Sequence, residues 1–128
     1  MTNVLEVTAE QLVAMADAFL HDKASSWGGP WARAVALLAR QSLEEALDEL
    51  WRVRGVDLSA ISARAQLLCL RAYLDDDKLA AEVGYTWGAL SRACHHHPYE
   101  LTPTTDELAR WVATTRALVR RIHAAEAA

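Results

Sequence analysis

Residues 30–55 read PWARAVALLARQSLEEALDELWRVRG, and their spacing decides the fold class. Trp31, Val35, Leu38, Leu43, Leu47, Leu50 and Trp51 recur at the steps that place side chains on one face of an α-helix. The rhythm slips near Ser42. Pro30 suits the first helical turn, where its missing N–H costs nothing. Gly55 is a natural stop at the far end. The stretch predicts one long helix.

The flanking sequence predicts four more helices and no convincing strand. Before it, Thr8 with Gln11 forms a capping box, and Leu12, Met15, Ala16, Phe19 and Leu20 make an apolar face. Ser25, Ser26, Gly28 and Gly29 end that helix. After Gly55, Ser59 is a candidate cap for a third helix in which Ile61, Leu67, Leu68, Leu70 and Leu74 are mostly buried. Asp75, Asp76 and Asp77 close it and cap a fourth, where Leu79, Val83, Trp87, Leu90 and Cys94 share a face. Thr104 and Glu107 form a second capping box, opening a fifth helix with Leu108, Trp111, Val112, Leu118, Val119 and Ile122 inward. Short links favour antiparallel neighbours, so an all-α, five-helix up-and-down bundle is expected. It reads as a single helical domain over residues 1–128, with its core at about residues 8–124.

Composition narrows the function classes. The 128 residues carry 13 Lys and Arg against 17 Asp and Glu, a net charge of -4. Residues 1–91 hold 8 basic and 13 acidic side chains, and residues 92–128 hold 5 and 4. That is no surface for gripping nucleic acid by charge alone, so any RNA contact is expected to be local. Two cysteines are too few for a disulfide framework and fit a reducing cytoplasm. No signal peptide is evident, and no apolar run reaches the roughly 18–20 residues of a membrane span.

The densest chemistry lies in Arg92-Ala93-Cys94-His95-His96-His97-Pro98-Tyr99. An arginine stays charged and forks onto phosphate oxygens, and a histidine moves a proton near neutral pH. On a continuous helix Arg92 and His97 would point about 140° apart, whereas His96 would share the Arg92 face. Pro98 disfavours helical backbone at His97. The helix is therefore expected to end within the histidine tract, letting His97 swing back toward Arg92. A polar helix end whose histidines favour the helix dipole is the plainer reading of the same residues.

The spacing Arg92, four residues, His97, one residue, Tyr99 resembles the Arg-x4-His-x-Tyr signature of HEPN domains, small helical domains of toxin–antitoxin and other defence systems. The resemblance covers roughly residues 8–124. It implies a HEPN-like metal-independent endoribonuclease with a composite site at a homodimer interface. Arg92, His97 and Tyr99 would be its catalytic residues, with His96 and His95 as alternatives for the working histidine. It further implies an RNA substrate and a nucleotidyltransferase-type antitoxin that modifies Tyr99. Ala93 stands where the family often has a polar residue. Many such domains serve instead as non-catalytic modules that bind a protein partner or nucleotide, which is the competing expectation.

Other candidates are weaker. Cys94, His95, His96 and His97 include soft ligands, but no second spaced pair completes a zinc pattern, so neither metal nor cofactor is expected. Asp75–Asp77 reads as caps rather than a magnesium site. Arg116, Arg120 and His123 share a stripe with Arg121 beside it. These arginines are candidate RNA-binding residues, although a solvated basic face also explains them. Arg40, Glu44 and Glu45 are candidates to buttress the motif, or ordinary surface ion pairs. Trp31, Trp51, Trp87 and Trp111 read as core, Trp27 as exposed, and both cysteines as small buried hydrophobes.

Overall fold

The computed structural model describes residues 6–22, 29–95 and 101–127. Five helices account for most of them: α1 (Ala9–Leu20), α2 (Gly29–Arg54), α3 (Ala63–Leu74), α4 (Asp77–Cys94) and α5 (Thr105–Ala127). No strand occurs among the described residues, so the chain is an all-α bundle. No described helix is long and apolar enough to cross a membrane.

Local chemistry sets the helix ends. Thr8 and Gln11 cap α1 reciprocally, each side chain bonding the other's backbone N–H. Thr104 and Glu107 do the same for α5. Gly55 ends α2 with φ 69. Asp75 closes α3 in the left-handed region (φ 56), and Asp76 accepts the Leu79 N–H at 3.0 Å to open α4. The aspartate triplet is thus spent on two helix ends. The cap of α3 is Ser62, which accepts the Ala65 N–H at 3.2 Å. Ser59, expected in that role, instead donates its hydroxyl and N–H to Asp57.

Contacts between helices give their directions. Ser42 Oγ donates to the Ala9 carbonyl (2.7 Å) and Trp31 Nε1 to the Phe19 carbonyl (2.8 Å), so α1 runs antiparallel to α2. Asp17 meets Arg116 and Glu10 meets His123, making α5 antiparallel to α1. Glu44 bonds Trp87 while Arg40, one turn earlier in α2, lies near Cys94 further along α4, making α4 antiparallel to α2. The α2–α5 pair therefore forms the middle of the bundle, with α1 and α4 packed against it. Helix α3 lies mainly against α4. Its ties to α2 include Trp51, which meets both Gln66 and Tyr73, and the Arg54 bond to the Tyr73 carbonyl.

The core is drawn from the long apolar rhythm first noted in α2. Val35, Leu43, Leu47, Leu90, Leu108 and Leu118 are almost wholly enclosed, each side chain worth roughly 1.5–3 kcal/mol of burial. Between them Ala32, Ala36, Ala39 and Ala46 are also buried, bringing neighbouring helices close. The slip at Ser42 has a cause: its buried hydroxyl is a strut to α1.

Several faces are rotated from the expected ones. In α1 the inward line is Ala9, Val13, Ala16 and Leu20, leaving Met15 and Phe19 outside. The small alanines, not the large side chains, mark the contact. In α3 the inward line is Gln66, Leu70 and Leu74. Leu68, expected inside, is 82% exposed, and Ile61 is also exposed. A helix packed along one narrow edge has no room for a wide apolar face. Trp31 and Trp87 are half-buried against the core rather than within it, while Trp51 and Trp111 are buried. Trp27 lies outside the described residues.

Candidate active site at the end of α4

Helix α4 delivers Arg92 in its last turn and stops at Cys94. His95 follows with φ -92 and ψ 128, extended backbone, its N–H bonded to the Arg92 carbonyl at 3.2 Å. The chain therefore leaves the helical path at the first histidine. His96, His97, Pro98 and Tyr99 lie outside the described residues.

Arg92 is exposed, and its guanidinium lies back along α4 over Gly88. A Cβ placed on Gly88 would sit 3.5 Å from Arg92 Nη1. Among the described residues no carboxylate forms an ion pair with Arg92. A groove of about 570 Å³ runs between α3 and α4 to this point, lined among others by Arg64, Leu67, Arg71, Gly84, Trp87 and Ser91. Arg71 bonds Asp77 across its mouth at 2.9 Å. That pair holds the Asp77 carboxyl below its ordinary range and raises the Arg71 guanidinium.

Behind the groove, α2 braces α4. Arg40 Nε donates to Glu44 Oε1 at 3.0 Å, and the same oxygen accepts the Trp87 indole N–H at 3.2 Å. The Arg40 guanidinium stands 5.8 Å from the Trp87 ring centroid. Its hydrogen bond to Glu44 raises it above the ordinary arginine range, with a smaller effect from the nearby Cys94. Burial pushes the Cys94 thiol up against the downward pull of Arg40, favouring the protonated form, a poor metal ligand. Arg40 and Glu44 thus meet α4 at Trp87, five residues before Arg92. Glu45 does not: its electrostatic neighbours are Asp48, Glu6 and Arg52.

The candidate stripe on α5 faces the other way. Arg116 is engaged by Asp17 at 3.4 Å, and His123 Nδ1 by Glu10, both on α1. Arg120 is exposed and Arg121 half-buried. Because α1 and α4 pack separately against the α2–α5 pair, these residues do not converge with Arg92. Two of the side chains on that stripe already have carboxylate partners.

The same end of α5 holds the one group of residues, among those described, able to take a metal ion. Ligand atoms of Glu49, His123 and Glu126 lie within 4.8 Å of one another. Glu10 also touches His123. An imidazole set among carboxylates from three helices also ties those helices without any ion.

Comparison with protein-family models, with curated proteins and with solved structures found no match. The chemistry of the site therefore rests on its own geometry. That geometry is a guanidinium at a helix end with no carboxylate partner among the described residues, a groove leading to it, and a chain that departs from helical backbone at His95. Sequence reasoning missed Arg64, Arg71 and Ser91, which sit on α3 or precede the motif. The signal was the series Gly84, Gly88, Arg92 at four-residue steps, which puts all three on one face.

Proposed function

We propose that this chain is a metal-independent endoribonuclease of the HEPN-like type. Arg92 stabilises charge on the phosphoryl oxygens and His97 moves the proton. The observation that carries the reading is the end of α4, where an exposed Arg92, with no carboxylate partner among the described residues, precedes a helix stop at Cys94 and extended backbone at His95. His97 takes the proton from a ribose 2′-OH, and the oxygen attacks the adjacent phosphorus. The bond to the 5′-oxygen breaks, the leaving oxygen takes up a proton, and a 2′,3′-cyclic phosphate remains. Tyr99 positions the phosphate or serves as a modification site for a nucleotidyltransferase-type antitoxin. Two copies would bring their α4 ends together to complete the site.

Wild-type chain incubated with RNA in excess chelator is expected to cleave it, and His97→Ala and Arg92→Ala are each expected to lose cleavage at least about a hundredfold. Cleavage that survives both substitutions removes the mechanism. A second reading, a non-catalytic module that binds a protein partner, is favoured by the exposure of Leu68 (82%) and Tyr85 (71%) on α3 and α4. Absence of cleavage by the wild type assigns the chain to that reading.

A further inference from the structure

We infer that the groove between α3 and α4 is the track of a single-stranded RNA, whose phosphates it hands on to Arg92. The inference rests on the ribonuclease reading for the identity of the ligand, and on the groove itself for its place. Arg64, Arg71 and Arg92 line one groove together with a single carboxylate, Asp77, which Arg71 already engages. In a chain of net charge -4 this is a local cationic strip, the form of RNA contact that such a composition permits. Along α4 it extends from Asp77 to Arg92, about 22 Å.

The floor of the groove is shaped for something beyond the bundle's own packing. Gly84 and Gly88 lie one turn apart in the middle of α4. Each costs the helix about 1 kcal/mol relative to alanine. A Cβ on Gly84 would meet nothing within 4 Å, and one on Gly88 would make only ordinary contact with Arg92. Internal packing therefore requires neither glycine, whereas a sugar–phosphate backbone approaching α4 closely would require both. Ser91 also lines the groove; its hydroxyl oxygen is enclosed and has no hydrogen-bond partner among the described residues. Trp87 and Leu67 give the walls an aromatic and an apolar surface against which bases can stack.

A second copy of this chain fits less well. Twofold pairing along the length of the groove would gather the three arginines of each copy in one interface with only the two Asp77 carboxylates to offset them.

The test uses the full chain and a fluorescein-labelled 2′-O-methyl strand of about ten nucleotides, which has the phosphates but lacks the nucleophile. Anisotropy is expected to show binding by the wild type. Arg64→Ala is expected to weaken it about tenfold and to lower the slope of log K against log salt by about 0.7. Gly84→Leu, which improves helix propensity while filling the groove, is expected to abolish binding with helicity unchanged by circular dichroism. Failure of the wild type to bind, or wild-type affinity in both groove variants, overturns the inference. So does a change in sedimentation with no change in anisotropy, which makes the groove a contact between copies. Binding that responds to Arg64→Ala without any cleavage keeps the groove and removes the nuclease. Cleavage with binding indifferent to both groove variants does the reverse.

Discussion

Gln66 is a buried side-chain amide with every polar atom in use. Its oxygen accepts the Trp51 indole N–H at 2.8 Å, and its nitrogen donates to the carbonyls of Leu58 and Ile61 at 3.1 and 2.9 Å. One residue thereby fixes the end of α2, the connection that follows and the start of α3. Truncation leaves the indole N–H and the Ile61 carbonyl without their partners, while the Leu58 carbonyl keeps the Ile61 N–H, each such loss costing about 1–3 kcal/mol. Gln66→Ala is expected to destabilise the fold by about 3 kcal/mol in urea denaturation. An unchanged midpoint would show that α3 contributes nothing to the cooperative unit. A glutamine between apolar neighbours reads as surface in sequence, because a hydrogen bond to a residue fifteen positions away leaves no local trace. The helix stop that follows Arg92 was legible because it depends on residues adjacent in sequence.

Helix by helix, the sequence pattern was most readable where termini are made by local chemistry. Both capping boxes, the Gly55 stop and the Asp75–Asp76 boundary stand where the side chains placed them. Inward faces were less readable in α1 and α3, because small residues decide how closely helices approach while large ones draw the eye. Ala39, wholly buried in α2, illustrates the point. Ala39→Leu adds bulk where neighbouring backbones are close and is expected to cost about 1–3 kcal/mol, seen as a lowered thermal midpoint. Gly84→Ala tests the opposite situation. With open space around the new Cβ, it is expected to stabilise the chain by about 1 kcal/mol. A destabilised Gly84→Ala would mean that α4 needs this glycine for its own packing.

Charge across the bundle predicts how stability follows pH. Burial raises the carboxyls of Glu45, Asp48 and Glu49, with Glu126 adding to the effect at Glu49 and His123 and Arg52 opposing it. A raised carboxyl binds its proton more tightly in the folded chain, so its contribution is complete below the unfolded value and is lost as pH rises through the folded one. Asp57 and Asp77 are lowered by their hydrogen bonds to Ser59 and Arg71, and contribute only above the unfolded range. The thermal midpoint is therefore expected to rise as pH falls from neutral to about 5, then to decline in stronger acid. Glu49→Gln is expected to raise stability at neutral pH and flatten the first limb. A steady fall in midpoint from neutral downward would contradict this account. The placement of α3 has a separate consequence, in the rates at which amide protons are lost to solvent. Packed mainly on α4 and tied to α2 through Trp51 and Arg54, α3 can detach while the α2–α5 pair stays closed. Its amides are expected to exchange with deuterium well ahead of those of α2 and α5. Since α3 is one bank of the arginine-lined groove, the width of that groove becomes an equilibrium property of the fold, one that Gln66 biases toward the narrow form.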